Sequence, residues 1–341
     1  MRILLLMDPF IPVPPQYYGG IERVVYDMAC KYVEMGHEVT LIAGPNSKSP
    51  GRLITYGSNA EHSSIKIDNK LLKNVTRILY KEIGRHDVLH NFGRLAWMFP
   101  IAWSKIRKVQ TYMRYITPAN IKWLNNIKIR NIVYTAVSDA IVNTGISAGG
   151  IWKTVYNCAP IDQFTYVPKV AEDAPLVFLG RLERCKGAHT AIAVSKITNR
   201  KLIIAGNISP LKEEIEYFEK ELKPHFDGDL ISYIGTVDNV QKNELLGKAA
   251  AMLLPVEWFE PFPIVLPEAY ACGTPILAFP GGGVPEGIFS GTTGYLSNTA
   301  AEMAKQVNNI PLLNREICRL KALELYSDTT IANNYLEIYN N

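Results

Sequence analysis

Two glutamates, Glu260 and Glu268, stand eight positions apart in the run EWFEPFPIVLPEAYACGTPILAFPGGGVPE, residues 257 to 286. Read as a helix rising about 1.5 Å per residue, that spacing separates the carboxylates by roughly 12 Å. Two acceptor groups so placed suit the opposite ends of an elongated, hydroxyl-rich ligand such as a nucleotide sugar. A second cluster, GRLERCKG at 180–187, brings Arg181 and Lys186 directly after an apolar run. Two cations at a strand end suit a diphosphate, and glycines such as Gly180 let the backbone approach it closely. Near the N-terminus, Gly19 and Gly20 follow PFIPVPPQYYGG and open a helical pattern. The free amides of a helix start form an anion site, so a further phosphate contact is expected there. Glu22 reads as support for the first turn of that helix.

Short apolar or β-branched runs alternate with amphipathic stretches along the whole chain. Strands are predicted at 2–8, 38–44, 87–91, 109–113 and 132–138, then at 176–182, 201–206, 230–237, 250–256 and 274–279. Between the first two, GGIERVVYDMACKYVEMG places Ile21, Val24, Val25, Met28, Ala29, Tyr32 and Val33 on one helical face, with Gly36 as its C-terminal stop. A charged helix is predicted over 211–223. Such alternation implies parallel, doubly wound sheets, and 341 residues suggest two domains. The proline-bearing stretch 163–175 reads as the linker. Ligands of such proteins bind at the carboxyl ends of the strands.

Taken with that order, the motifs resemble the family 4 retaining glycosyltransferases, the glycosyl transferases group 1 type. The resemblance spans essentially the whole chain and is most specific in its C-terminal half. It implies an α/β GT-B fold: two doubly wound Rossmann-like domains facing a central cleft. Residues 1–165 would form the acceptor-side domain and 166–330 the nucleotide-sugar-binding domain, with 331–341 crossing back to the first. It further implies that Arg181 and Lys186 hold the diphosphate and stabilise its charge as the glycosidic bond breaks. Glu260 would lie at the transferred sugar, with the backbone of Pro261, Phe262, Pro263 and Ile264 beside it. Glu268 would bind the ribose hydroxyls, and Gly19, Gly20 and Gly180 would serve the phosphates. The glycine turn GGGVPE (281–286) would help enclose the donor.

The implied reaction moves a hexose-type sugar from a UDP- or GDP-activated donor to a hydroxyl of a glycan, lipid-linked or small-molecule acceptor. No cofactor and no metal are expected, since the two cations take the metal's part. A nucleotide-sugar epimerase and a noncatalytic nucleotide-sugar-binding protein of the same fold remain alternatives.

Several positions depart from the family pattern. The strand VQTYMR carries Met113 where many relatives place a histidine near the sugar, and methionine can neither polarise a hydroxyl nor take its proton. Tyr112, Arg114 and His90 are the neighbouring sugar- or acceptor-side candidates. Pro263 removes an amide donor where relatives have glycine. Pro267, just before Glu268, predicts a helix that is kinked or starts late. Asp227 and Asp229 mimic a metal-binding D-x-D, but Gly228 marks a turn and they read as loop chemistry. Cys185 sits beside Lys186, whose charge would favour a thiolate; a packed, inert thiol is the plainer reading. Asn157 and Asp162 read as structural residues at the domain crossover.

Bulk properties narrow the partners. Five scattered cysteines without C-x2-C spacing argue for a reducing cytoplasm and against a disulfide framework or zinc site. No apolar run is long enough to span a membrane, and MRILLLMDP reads as a buried strand. Residues 1–165 carry 20 Lys and Arg against 11 Asp and Glu; residues 166–341 carry 16 against 21. Within 66–130 the ratio is 14 to 3, interleaved with Trp97, Phe99, Trp103 and Trp123. That patch suits an anionic membrane or a phosphorylated acceptor, giving a cytoplasmic protein docking at the inner membrane face. No nucleic-acid-binding motif accompanies it.

Overall fold

The computed structural model describes residues 1–16, 19–57 and 68–340. Tyr17 and Tyr18 of the glycine loop, Lys66 of the basic stretch and Asn341 lie outside the described residues. The chain divides into two compact units. Unit 1 comprises Met1–Cys158 with Asp328–Asn341, and unit 2 comprises Ala159–Ser327. The division falls somewhat before the 165/166 boundary drawn from the sequence.

Unit 1 holds a seven-stranded parallel sheet. Its strands are β1 (Arg2–Leu6), β2 (Glu38–Ala43), β3 (Arg52–Thr55), β4 (Val88–Asn91), β5 (Arg107–Tyr112), β6 (Ile132–Ala136) and β7 (Trp152–Thr154). They are ordered β3-β2-β1-β4-β5-β6-β7. The runs RILLL and EVTLIA are buried beyond their first residue because helices cover both faces. The helices are α1 (Gly20–Glu34), α2 (Asn69–Glu82), α3 (Pro118–Asn126) and α4 (Asp139–Gly145). In α1 the buried set Val24, Val25, Met28, Ala29 and Tyr32 is the stripe its periodicity predicts, and Gly36, at φ 82°, follows its end.

Unit 2 holds a six-stranded parallel sheet: β8 (Leu176–Leu179), β9 (Leu202–Ala205), β10 (Ile231–Tyr233), β11 (Ala251–Leu254), β12 (Ile276–Ala278) and β13 (Gly294–Leu296). Its order is β10-β9-β8-β11-β12-β13. Around it lie α5 (Ala188–Thr198), α6 (Lys212–Tyr217), α7 (Asn239–Lys248), α8 (Val265–Ala271), α9 (Ala300–Val307) and α10 (Arg315–Lys321). The helix expected over 211–223 is α6 continued by a π-helical turn at Phe218–Leu222.

The last helix, α11 (Asp328–Asn340), belongs to unit 1 and packs on α1. Lys31 pairs with Asp328 at 3.2 Å, and the hydroxyls of Tyr32 and Tyr339 lie 3.0 Å apart. One buried cation in unit 1 is structural. The Lys108 ammonium donates to the carbonyls of Ser104, Ile106 and Arg130 at 2.8–3.1 Å. Burial pulls its pKa down to about 8.

Candidate functional site

In unit 2 the chain leaves β8 at Gly180, whose amide donates to the Ala205 carbonyl at 3.1 Å. Arg181 follows and turns onto the Glu183 carboxylate. A short turn, Arg184–Lys186, then leads into α5 through Gly187. Gly187 has φ 78°, and an added Cβ would fall 1.9 Å from the Pro255 carbonyl. Only glycine lets the turn lie this close to the end of β11.

Lys186 is thereby aimed at the loop after β11. Its ammonium lies 2.5 Å from Glu260 Oε2 and 4.7 Å from the centroid of the Trp258 ring. The Trp258 indole N–H donates to the same Glu260 oxygen at 2.6 Å. The carboxylate is thus held by a cation and an indole while its side chain remains only 9% exposed. Glu260 is fixed from behind by the glycine turn. Gly283 donates to the Glu260 carbonyl at 2.8 Å, and a Cβ on Gly282, at φ 58°, would fall 2.2 Å from that oxygen. The expectation that 281–286 encloses a ligand thus gains a second reading: the turn is the backing plate of Glu260.

The helical spacing assumed for the two glutamates does not hold. Glu260 lies in an irregular loop, and α8 begins only at Val265. Proline explains the late start: Pro261 and Pro263 interrupt the approach, and Pro267 falls in the first turn of α8, where a missing amide costs no intrahelical bond. Pro261, Phe262 and Pro263 are buried, and Phe262 packs toward Tyr326 with ring centroids 5.5 Å apart. Ile264 is half-buried at the helix start.

Glu268, on α8, is buried and bridged by the Lys242 ammonium from α7. Lys242 was not singled out from the sequence. A signal for its placement exists: Asp238 and Gln241 form a capping box that starts α7 and fixes its first turn. Glu183 and Trp258, both inside the motifs, were also overlooked as partners. Three cation–carboxylate pairs therefore occupy this face: Arg181–Glu183, Lys186–Glu260 and Lys242–Glu268.

Cys185 is half-buried, and burial outweighs the Lys186 charge to raise its thiol pKa. The Asp227 carboxylate accepts from the backbone amides of Asp229, Leu230 and Ile231 at 2.9–3.0 Å, which is turn chemistry. A hollow of about 400 Å³ opens beside the site, lined by Trp258, Phe259, Phe279 and Gly281 among others.

Unit 1 places its candidates differently. Gly19 precedes α1 and, as a glycine, brings no side chain to cap its first amides. Beneath it Glu22 is buried, and burial raises its pKa to about 7 against the opposing pull of Arg114. His90 is fully buried; its ring nitrogens bond Tyr339 and Thr111, each at 2.6 Å. It anchors α11 and faces no open surface. Tyr112 stacks on Trp152 at 5.8 Å, and its hydroxyl is buried with no hydrogen-bond partner among the described residues. Both are interior residues because a strand alternates its side chains, and these two point into packed layers rather than beyond the strand end. Met113 is half-buried and Arg114 exposed.

The family model for glycosyl transferases group 1 matches residues 163–318, and that for glycosyltransferase family 4 matches residues 18–144. A glycogen synthase of Mycobacterium tuberculosis is 33% identical over 86% of this chain and 81% of its own length. An uncharacterised 41.2 kDa protein of the Klebsiella pneumoniae cps region is 28% identical over 58% of this chain and 57% of that protein. Among solved structures, Anabaena HepE, in complex with UDP and glucose, superposes with a TM-score of 0.78 at 18% identity, covering 100% of this chain and 99% of that one.

Proposed function

The chain belongs to the family 4 glycosyltransferases with the GT-B fold, and on that premise we propose that it transfers a hexose-type sugar from a UDP- or GDP-activated donor to an acceptor hydroxyl with retention of configuration. The observation that carries the reading is the seating of Lys186 on Glu260 and of Lys242 on Glu268 within one unit. Each cation is already positioned for an anion, and each carboxylate for hydroxyls. The UDP and glucose bound by HepE support a nucleotide-sugar ligand. The glycogen synthase relative supports work in glycan or glycoconjugate assembly.

In this reading the donor diphosphate takes over Lys186 and Arg181, releasing Glu260 to accept the sugar hydroxyls. Glu268 accepts from the ribose. Gly19 and Gly20 stay in the proposal as phosphate-side residues of unit 1. The acceptor oxygen bonds to the anomeric carbon as the bond from that carbon to the diphosphate breaks. The acceptor proton passes to the departing diphosphate. The two cations carry the stabilisation that a divalent metal supplies elsewhere, so turnover is independent of metal. His90 and Tyr112 keep structural roles. A cytoplasmic enzyme with peripheral contact at the inner membrane face completes the proposal.

The test is a calorimetric panel of UDP, GDP, ADP and dTDP with their common sugars, on the wild type and on Glu268→Ala. One nucleotide series should bind, and its affinity should fall about a hundredfold in the variant, as losing charge-assisted bonds predicts. Binding unchanged by the substitution would remove Glu268 from the site. Binding without turnover across acceptor classes would favour the noncatalytic alternative, and acceptor-free conversion the epimerase.

A further inference from the structure

Unit 1 carries a face that no part of the donor chemistry uses. On α2, Lys70, Lys73, Arg77 and Lys81 are all exposed. At 100° per residue they fall within an arc of roughly 80°. The opposite side of the helix buries Val75 and Leu79. Between Asn69 and Ser138 the only carboxylates in the sequence are Glu82 and Asp87. Both are already engaged, Glu82 with Arg52 at 2.8 Å and Asp87 with Arg2 at 2.6 Å. Among the described residues no ion pair reaches the four α2 cations. An ordinary solvated helix face mixes signs, and unit 2 shows this: Lys220, Lys223 and Lys248 each pair with a glutamate one turn away.

Aromatic side chains adjoin the stripe. Tyr80, 62% exposed, lies along its edge and donates its hydroxyl to the Pro100 carbonyl at 2.9 Å. That bond joins α2 to the turn Leu95–Ile101, where Phe99 meets Trp123 of α3 with ring centroids 5.0 Å apart. Phe99 is 40% and Trp123 49% exposed. Trp103, 56% exposed, is tethered through its indole N–H to the Ile127 carbonyl at 3.0 Å. The exposed cations Lys105, Lys122 and Lys128 stand among them in sequence. Water gives no return for presenting four large rings on one surface, whereas the interfacial zone of a bilayer does.

We propose that this face, α2 with the turn at 95–101 and α3, seats the protein on an anionic lipid bilayer, the α2 cations against the headgroups and Trp103, Phe99 and Trp123 at the acyl boundary. Charge complementarity selects the partner: exposed cations without counter-charges match phosphate-bearing headgroups, and exposed rings match the layer beneath them. Duplex DNA offers the charge but keeps its bases stacked inside, with no apolar layer for the exposed rings to enter. The inference deepens the membrane contact of the proposed function by naming the surface and the lipid chemistry that make it. Its test reads lipid alone, so it stands or fails separately from the donor-site reading.

The experiment is co-sedimentation of the full chain with equimolar phosphatidylglycerol/phosphatidylcholine vesicles and with pure phosphatidylcholine vesicles, at low and high salt. Variants are the quadruple K70Q/K73Q/R77Q/K81Q and the pair W103A/W123A, each checked for native unfolding behaviour. Binding should require phosphatidylglycerol and weaken with salt. It should fall about six-hundredfold in the quadruple variant, at about fivefold per cation, and severalfold in the tryptophan pair. No binding, equal binding to both vesicles, or an unaffected quadruple variant would overturn the proposal. So would duplex DNA binding as tight as vesicle binding and indifferent to both tryptophans, which would assign the face to a nucleic acid. If the pair unfolds, W103Y/W123Y replaces it, with retained lipid binding expected.

Discussion

Unit 2 pairs the charges of its candidate site, whereas the α2 cations of unit 1 reach no ion pair among the described residues. In unit 2 each cation of the candidate site rests on a carboxylate, and all three carboxylates, Glu183, Glu260 and Glu268, are buried. Such pairs hold geometry without a ligand, and a diphosphate entering the site exchanges one anion for another. In unit 1 the cations of α2 face solvent, while of the buried lysines Lys108 is spent on backbone carbonyls and Lys31 on Glu34 and Asp328. Paired charges suit a small ligand whose position must be exact to a fraction of an ångström. Unpaired, spread charges suit a broad partner whose position need not be.

The largest test of this contrast is Lys186→Ala. If the Lys186–Glu260 pair is a preset diphosphate site, turnover should fall about a thousandfold, the scale for losing one preorganised charge. Steady-state kinetics would read it. A drop of less than tenfold would reduce the pair to a structural bridge. Lys242→Met sharpens the same point at the other glutamate. Donor KM should rise about tenfold with kcat nearly unchanged, because Lys242 positions Glu268 and does not meet the reacting carbon. An equal loss in kcat would move Lys242 closer to the chemistry.

On the unit 1 side, His90 is buried and neutral, and burial drives its pKa well below 6.5. The unfolded chain binds a proton first as pH falls. The stability contributed by neutral His90 is therefore present above about pH 6.5 and lost as pH drops toward the depressed folded value, at up to about 1.4 kcal/mol per pH unit. Denaturant unfolding at pH 7 and pH 5 should show the slope, and His90→Asn should flatten it. The smallest effect is expected for Cys185→Ser. With its thiol held protonated by burial, activity should stay within about twofold of wild type; a larger loss would give Cys185 a role beside Lys186.

Much of the fold was legible because strand and helix periods differ and this chain keeps them apart. The runs at 2–8, 38–44 and 176–182 needed only trimming at their ends. The short strands β3, β7 and β13 escaped because three or four residues carry no period. At the candidate site, Arg181, Lys186, Glu260 and Glu268 announce themselves by type and spacing. Their pairing does not, since Lys186 and Glu260 are brought together across the sheet and Lys242 reaches Glu268 from another helix. Prolines betray the helix start at Val265, and a helical spacing of about 12 Å between the glutamates ignores them. His90 and Tyr112 do stand near the ends of β4 and β5, but the packing of Tyr339 and Trp152 against them leaves no local signal in the sequence.

The return of α11 to unit 1 also orders events on the ribosome. Unit 2 is one unbroken stretch, Ala159–Ser327, and is complete once it emerges. Unit 1 lacks Tyr339 until α11 is made, so His90 and Tyr32 wait for a partner 249 and 307 positions further along. The usual N-terminal-first order of domain folding is expected to be reversed. A nascent chain halted at Ser327 would carry a finished second unit behind an open first one, with the stripe of α1 that α11 covers exposed to chaperones.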